Sequence, residues 1–128
     1  MTTISQASMD QLAAGLRSAN EVPMIMDSIR SHGGDAFDDA TLEREVRATL
    51  ARCEYLELTS DADRMTLCLL ELLQFPGLRD VPKLRGLLNY AQGPAESRMA
   101  SLFLVAPPSF WGALSDRAPV VRQERNWP

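Results

Sequence analysis

The single histidine, His32, is the first residue whose chemistry could support catalysis, because an imidazole titrates near neutral pH and often serves as a general base. Asp27 and Asp35 lie close to it in sequence, and two glycines follow it. No serine or cysteine of the chain stands in a recognisable nucleophile motif. We therefore expect His32 to be a solvated residue at the end of a helix, where the helix dipole is negative.

Glu71 is the most informative polar residue, because it stands on an otherwise apolar helix. Helical geometry places Arg64, Cys68 and Glu71 along one side, with Gln74 beside them. A buried carboxylate without a partner is too costly to keep. We interpret these residues as a narrow polar stripe that reaches solvent, with Glu71 paired to an arginine. The alternative is a lone carboxylate in a groove, available for binding or catalysis.

The cysteines and the acidic loop do not suggest a metal site. Cys53 and Cys68 are 15 residues apart within helical patterns, a spacing typical of neither a zinc site nor a redox pair. We expect two buried thiols, with a disulfide as the alternative. The acidic loop 35–39 lacks the alternating oxygen ligands of a calcium loop. The sequence therefore predicts no cofactor, no metal and no catalytic residue.

Aromatic residues near the C-terminus are the main candidates for partner binding. Phe110 and Trp111 follow two prolines, and they either complete the core as a lid or serve as interface anchors, a role that aromatic residues often have. Trp127 is harder to assign to a core. With Arg122 and Arg125 it is predicted to form a short docking element.

Negative charge is concentrated in the first part of the chain. Residues 1–71 hold 13 acidic and 6 basic residues, whereas residues 72–128 hold 4 acidic and 7 basic ones. The basic residues are dilute and do not alternate with aromatic ones, which argues against a nucleic-acid partner. An acidic surface can attract a basic protein, so the expected partner is another protein. The acidic candidates for partner binding are Asp38, Asp39, Glu43 and Glu71.

The elements that must position these residues are helices, since the 3.6-residue period recurs and sustained period-two alternation is missing. We predict a first helix over about 6–19 and a short second helix that begins at Pro23 and ends at the glycines 33–34. Asp38 or Asp39 caps a third helix. Its apolar stripe consists of Leu42, Val46, Thr49, Leu50, Cys53 and Leu56.

The fourth helix is predicted to be the central one. Ser60 caps it, and acidic residues occupy its first turn. Nearly every position from Met65 to Phe75 is apolar, which is typical of a helix that others surround. We predict that this helix spans about residues 61–75 and that five to six short helices form a compact all-α bundle around it.

Prolines divide the remainder of the chain. Pro82 begins a fifth helix and Pro94 a sixth, and the pair at 107–108 ends the regular structure. A single helical domain is therefore predicted over 1–115. An irregular tail is predicted over 116–128.

The composition is that of one globular domain. The chain has 128 residues, of which 45% are hydrophobic and 23% charged, and its net charge is −4. Its longest apolar stretch is about half of the roughly 20 residues that a membrane span needs. The N-terminus shows no basic segment followed by an apolar one. We expect a cytoplasmic protein without a membrane partner.

The stretch from Tyr55 to Asp63, Tyr-Leu-Glu-Leu-Thr-Ser-Asp-Ala-Asp, followed by an apolar helix, resembles small helical proteins encoded beside toxic effectors in bacterial type VI secretion clusters. In that pattern a helix ends in Tyr-Gly-Ile or a similar sequence, and a Thr/Ser-x-x-Asp cap precedes the apolar helix. The resemblance covers about residues 4–90. The chain departs from it at Leu56, where the pattern has glycine, and at the closing sequence 75–77.

The resemblance implies a non-enzymatic accessory protein that binds another protein. The implied role is that of a chaperone, co-chaperone or adaptor for a type VI secretion effector. An immunity protein that neutralises a cognate toxin is the alternative, and the acidic first half would suit a basic toxin. A small helical hydrolase that uses His32 or Glu71 is a weaker alternative from a different class.

Overall fold

The computed structural model describes residues 6–90 and 98–128, and every regular element in these ranges is helical. A π turn (Leu70–Gln74) continues the third helix, and a 3₁₀ turn (Leu78–Asp80) follows it. The predicted all-α class is therefore confirmed. None of the described helices is long and apolar enough to cross a bilayer. The α-helices are α1 (Gln6–Ser31), α2 (Asp39–Tyr55), α3 (Asp61–Leu69), α4 (Leu84–Tyr90), α5 (Arg98–Val105) and α6 (Pro108–Glu124).

Helix α1 is one continuous helix of 26 residues, where we predicted two. Pro23 lies inside it and lacks the N–H that a helix interior normally uses. Val22, Ile25 and Ile29 are nevertheless buried against the bundle, so the burial of this face offsets the missing hydrogen bond. The helix ends where predicted, because Gly33 adopts a φ of +112°, a conformation that glycine accepts without a steric penalty.

Two predicted helix caps are confirmed. The Asp38 carboxylate accepts a hydrogen bond from the Thr41 N–H at 2.7 Å, and the Ser60 hydroxyl accepts one from the Asp63 N–H at 3.1 Å. Each cap satisfies an N–H that has no partner within its own helix. Helix α2 then turns its predicted stripe inward. The buried residues of this stripe are Leu42, Val46, Thr49, Leu50, Cys53 and Leu56.

Helix α3 packs against α1, α2 and α5. After Leu69 its backbone changes to the π turn, which alters the faces on which the following side chains lie. Leu67 and Leu72 are buried, whereas Leu69 is half-buried. The apolar surface is therefore not covered evenly on all sides. That this helix is the centre of the bundle stays a prediction.

The predicted fifth and sixth helices correspond to α4 and α5. Helix α4 follows Pro82 and buries Leu84 and Leu88, and α5 packs against α4. The predicted start of the sixth helix at Pro94 lies outside the described residues. Met99 and Leu102 are the buried residues of α5.

The predicted end of regular structure at the prolines 107–108 is wrong. Pro108 occupies the first turn of α6, where its missing N–H breaks no helical hydrogen bond. The helix then runs for 17 residues, through Pro119, to Glu124. The pair of prolines therefore begins a helix instead of ending one.

The predicted irregular tail over 116–128 is also wrong. Its first nine residues belong to α6, and Trp127 beyond the helix is only 8% exposed. The Trp127 ring packs edge to face on Phe37, with 5.5 Å between the ring centroids. Burial of this large ring against the bundle orders the end of the chain.

The buried position of Leu67 leads to a stability prediction. Leu67→Ala should lower the free energy of unfolding by about 2–5 kcal/mol, because the truncation leaves a cavity that the neighbours fill only in part. Leu69→Ala is the matched control and should cost less, since Leu69 is only half-buried. Urea denaturation followed by circular dichroism measures both values. Equal losses in the two variants would contradict this difference in burial.

Candidate functional site

Glu71 does not lie on a solvent-exposed stripe. Its side chain is 0% exposed, and its carboxylate accepts hydrogen bonds from the N–H groups of Gly77 at 2.6 Å and Arg79 at 2.7 Å. The guanidinium groups of Arg79 and Arg125 lie 3.8 and 3.4 Å from its oxygens. The predicted pairing with arginine is confirmed. The predicted solvent access is wrong, because the segment after the π turn folds back over the carboxylate.

The arginines extend this buried network to other elements. The Arg79 guanidinium lies 2.8 Å from the Glu45 carboxylate on α2, and Arg125 lies 2.8 Å from the Asp80 carboxylate. Glu71 thus connects α2, the 3₁₀ turn and the end of α6. Burial raises the pKa of the Glu71 carboxyl, while the Arg79 N–H and the two guanidinium charges act against this rise. These groups of the same chain surround the Glu71 carboxylate, so the carboxylate is not available to another protein in this structure.

Two further buried charged residues, Arg64 and Asp63, connect helices to one another. Arg64, which we placed on the polar stripe, donates to Glu21 on α1 at 2.7 and 3.0 Å and to Glu54 on α2 at 2.8 Å. The hydrogen bonds to Glu21 contribute most to raising the pKa of Arg64. Asp63 accepts hydrogen bonds from the N–H groups of residues 98 and 99 at the start of α5. These residues position helices.

Among the residues considered for catalysis, His32 bonds within its own helix, and Cys53 and Cys68 belong to the core. His32 is exposed, and its Nδ1 lies 2.7 Å from the Ser28 carbonyl oxygen of its own helix. Cys53 and Cys68 are buried and unpaired, as predicted. Burial raises the pKa of the Cys53 thiol to about 12 and raises that of Cys68 as well. Among the described residues, no group of three His, Cys, Asp or Glu side chains could hold a metal ion.

The acidic candidates at the start of α2 are exposed but already engaged. Asp38 caps the helix, Asp39 pairs with Arg30, and Glu43 lies 3.1 Å from Arg47. Their charges remain at the surface, where nearby arginines offset part of them. This surface can influence the approach of a partner more than it can hold one.

Trp111 is the centre of an aromatic cluster formed by Phe75, Phe103, Phe110 and Trp111. Its ring stacks on Phe103 at 5.1 Å, meets Phe110 edge to face at 5.0 Å, and lies 4.9 Å from Phe75. Phe110 and Trp111 are half-buried. The rings pack on the bundle, as predicted for a lid, and remain partly accessible. Their role as interface anchors stays a prediction.

The exposed part of this region includes residues that sequence reasoning missed. Phe103 is 48% exposed, and its neighbour Leu104 is 87% exposed. Neither residue stands out by type, because Phe and Leu on a helix are ordinarily core residues. The run 102–105 is continuously apolar, which is more apolar surface than a helix with one buried face can cover. That excess is the signal that points to an exposed apolar surface on α5.

A groove of about 650 Å³ lies beside this cluster, between α6 and the segment 76–87. Phe110 belongs to both the cluster and the groove wall. The polar residues along the groove are Ser109, Asp80, Lys83, Arg117, Glu124 and Arg125. The apolar residues along it include Pro76, Val81, Pro82, Leu87, Phe110, Ala113, Leu114 and Val121.

Of the predicted binding residues, Phe110 and Trp111 lie together on one accessible surface, and Asp38, Asp39 and Glu43 lie together on another. Trp127, predicted as a docking element, packs in the core, and Glu71 is enclosed by its own network. The chain matches no family model, no curated protein and no solved structure. Functional interpretation therefore depends on the geometry of the aromatic cluster and the groove.

The Glu71 network leads to a second stability prediction. Glu71→Gln should lower the free energy of unfolding by about 3–5 kcal/mol, because Arg79 and Arg125 lose a buried counter-ion and an amide NH₂ faces the N–H donors. Glu43→Gln is the matched control at an exposed pair, and it should cost less than about 1 kcal/mol. Chemical denaturation measures both. If the two variants lose the same small amount, the buried charge is not required for folding.

Proposed function

We propose that the protein is a non-enzymatic accessory protein of the bacterial cytoplasm that binds another protein, acting as a chaperone, co-chaperone or adaptor for a type VI secretion effector. The type VI setting comes from the resemblance of residues 55–63 to that class. The proposal of protein binding is carried by one observation, the exposed apolar surface that Phe103 and Leu104 form beside Trp111.

An exposed apolar surface with aromatic residues is typical of a protein interface. Aromatic side chains are enriched at interfaces and often contribute most of the binding energy. Trp111 is held by ring contacts on several sides, so it loses little conformational freedom when a partner covers it. Leu104 makes a small contribution to the core, because most of its surface is exposed. The surface is thus ordered before binding.

The adaptor or chaperone role suits this surface better than the immunity role does. A chaperone needs accessible apolar and aromatic residues, which the α5–α6 junction provides. An immunity protein usually needs a tight, charge-complementary surface, but Asp39 and Glu43 are paired with arginines of their own chain. The hydrolase alternative has no comparable support, since Glu71 is enclosed and His32 bonds its own helix.

Leu104→Asp provides a direct test of the binding surface. The tagged full-length chain is purified from its host, the co-purifying protein is identified by mass spectrometry, and its affinity is then measured with purified components. We expect Leu104→Asp to weaken binding roughly thirty-fold, as loss of about 2 kcal/mol of contact energy would do. Thermal stability should be unchanged, because Leu104 is exposed.

Met24→Asp is the matched control, since Met24 is an exposed apolar residue (62%) on α1. It should bind the partner as the wild type does. Trp111→Ala should also speed dissociation, provided that circular dichroism shows an intact fold. Wild-type affinity in both Leu104→Asp and Trp111→Ala would rule out this surface as the interface.

The acidic surface leads to a kinetic prediction. Glu43→Lys should slow association with a basic partner several-fold at low salt and leave dissociation nearly unchanged, because exposed charges mainly steer the encounter. Asp116→Lys, at an exposed acid on α6, is the control. Stopped-flow or surface-based kinetics at two salt concentrations measures the effect. An association rate that is equal in the two variants would remove the steering role.

A further inference from the structure

The groove exists because α6 is fixed to the bundle at its two ends. The aromatic cluster holds its first turn, and Trp127 packs on Phe37 just beyond its last turn. Between these ends, the buried residues of α6 are Leu114 and Val121. The opening of about 650 Å³ runs along this stretch. Contacts at both ends and the burial of Leu114 and Val121 between them therefore hold α6 in place beside the groove.

The opposite wall of the groove is also rigid. It contains Pro76 and Pro82, whose φ angles are restricted by their rings. Gly77 and Arg79 lie between these prolines in sequence, and their N–H groups donate hydrogen bonds to the Glu71 carboxylate. A ligand that enters the groove thus meets two walls that are already ordered, which lowers the entropy cost of binding.

Among the described residues, the charged side chains along the groove that lack an ion-pair partner carry a net positive charge. Lys83 and Arg117 are exposed on the two walls, and within the described residues neither has an ion-pair partner. Arg125 is already paired with Glu71 and Asp80. Glu124 adds a negative charge on α6, and no ion-pair partner for it lies among residues 6–90 and 98–128. Within the part of the chain that the structure describes, the groove therefore offers two cations and one acid without ion-pair partners, beside apolar side chains.

We propose that this groove binds a short apolar peptide segment of the partner protein that carries an acidic side chain. The acidic side chain pairs with Lys83 and Arg117, and the flanking apolar side chains lie on the floor. Glu124 then accepts from an N–H or hydroxyl group of the segment. A peptide supplies donors, acceptors and apolar groups together, whereas a fatty acid has no donor of its own for Glu124.

The size of the groove agrees with this occupant. A volume of about 650 Å³ lies within the roughly 300–1,000 Å³ of sites that enclose a drug-sized ligand. Phe110 lines the groove and contacts Trp111, so a segment in the groove continues onto the aromatic cluster. The inference rests on the proposed protein-binding function and specifies the chemistry of the bound segment.

The test uses a phage-displayed library of random peptides of about twelve residues, selected on the immobilised full-length chain. Enriched peptides should contain Asp or Glu flanked by apolar residues. A fluorescein-labelled peptide of the enriched sequence is then titrated by fluorescence polarisation. Lys83→Gln combined with Arg117→Gln should weaken its binding at least about tenfold, because the charge-assisted hydrogen bonds are lost. Ala113→Trp should abolish binding by filling the groove.

Ala51→Trp, at an exposed alanine of α2 away from the groove, is the control and should bind normally. The inference is overturned if no peptide is enriched, if the enriched peptides are basic, or if Ala113→Trp binds them as well as the wild type. It is also overturned if decanoate alone saturates the groove. A dimer in sedimentation that Ala113→Trp dissociates would assign the groove to a second copy and overturn it as well.

The outcomes separate this inference from the proposed function. A native partner that binds the wild type and Ala113→Trp equally well overturns the groove inference and leaves the proposed function standing. Enriched acidic peptides that bind the groove, without any native protein partner in the host, support the groove inference and contradict the proposed function.

Discussion

The buried Glu71 carboxylate is the contact on which the C-terminal half of the molecule depends. A carboxylate that loses all contact with water must recover that free energy from donors of its own chain. Here the donors are the N–H groups of Gly77 and Arg79 and two guanidinium groups. They belong to the turn after α3 and to the end of α6. One side chain therefore fixes both walls of the groove.

Under the proposed function, this arrangement separates the residues that stabilise the fold from those that bind a partner. The buried charged residues hold elements together. Arg64 and Glu21 join α3 to α1, and Glu71 and Arg125 join the π turn to the end of α6. The apolar residues around Trp111 have a different role, since several of them remain accessible. A rigid surface of this kind favours binding because little side-chain entropy is lost when it is covered. The proposed interface is thus supported by a polar network whose central carboxylate is enclosed.

The helices could be predicted where local sequence and burial agree. Helix α2 is the clearest case, because Asp38 caps it and its apolar residues follow one 3.6-residue stripe. The errors concern proline. Pro23 and Pro119 lie inside helices that continue, because burial of side chains such as Ile25 and Val121 outweighs the local preference. That balance is tertiary, and residue patterns alone do not reveal it.

The candidate site was predictable in part, for a related reason. Phe110 and Trp111 could be singled out by residue type. Leu104 could be found only through the excess of apolar residues in the run 102–105, because a single leucine on a short helix is ordinarily a core residue. Glu71 was recognisable as unusual on its apolar helix. Its partners, however, lie 6, 8 and 54 residues further along the chain. Two of them are backbone N–H groups, which every residue except proline provides and which leave no trace in residue type. An isolated carboxylate on an apolar helix therefore indicates either a functional group or a fold-stabilising one. The two are distinguished only by whether a later segment of the chain folds over the carboxylate and donates backbone hydrogen bonds to it.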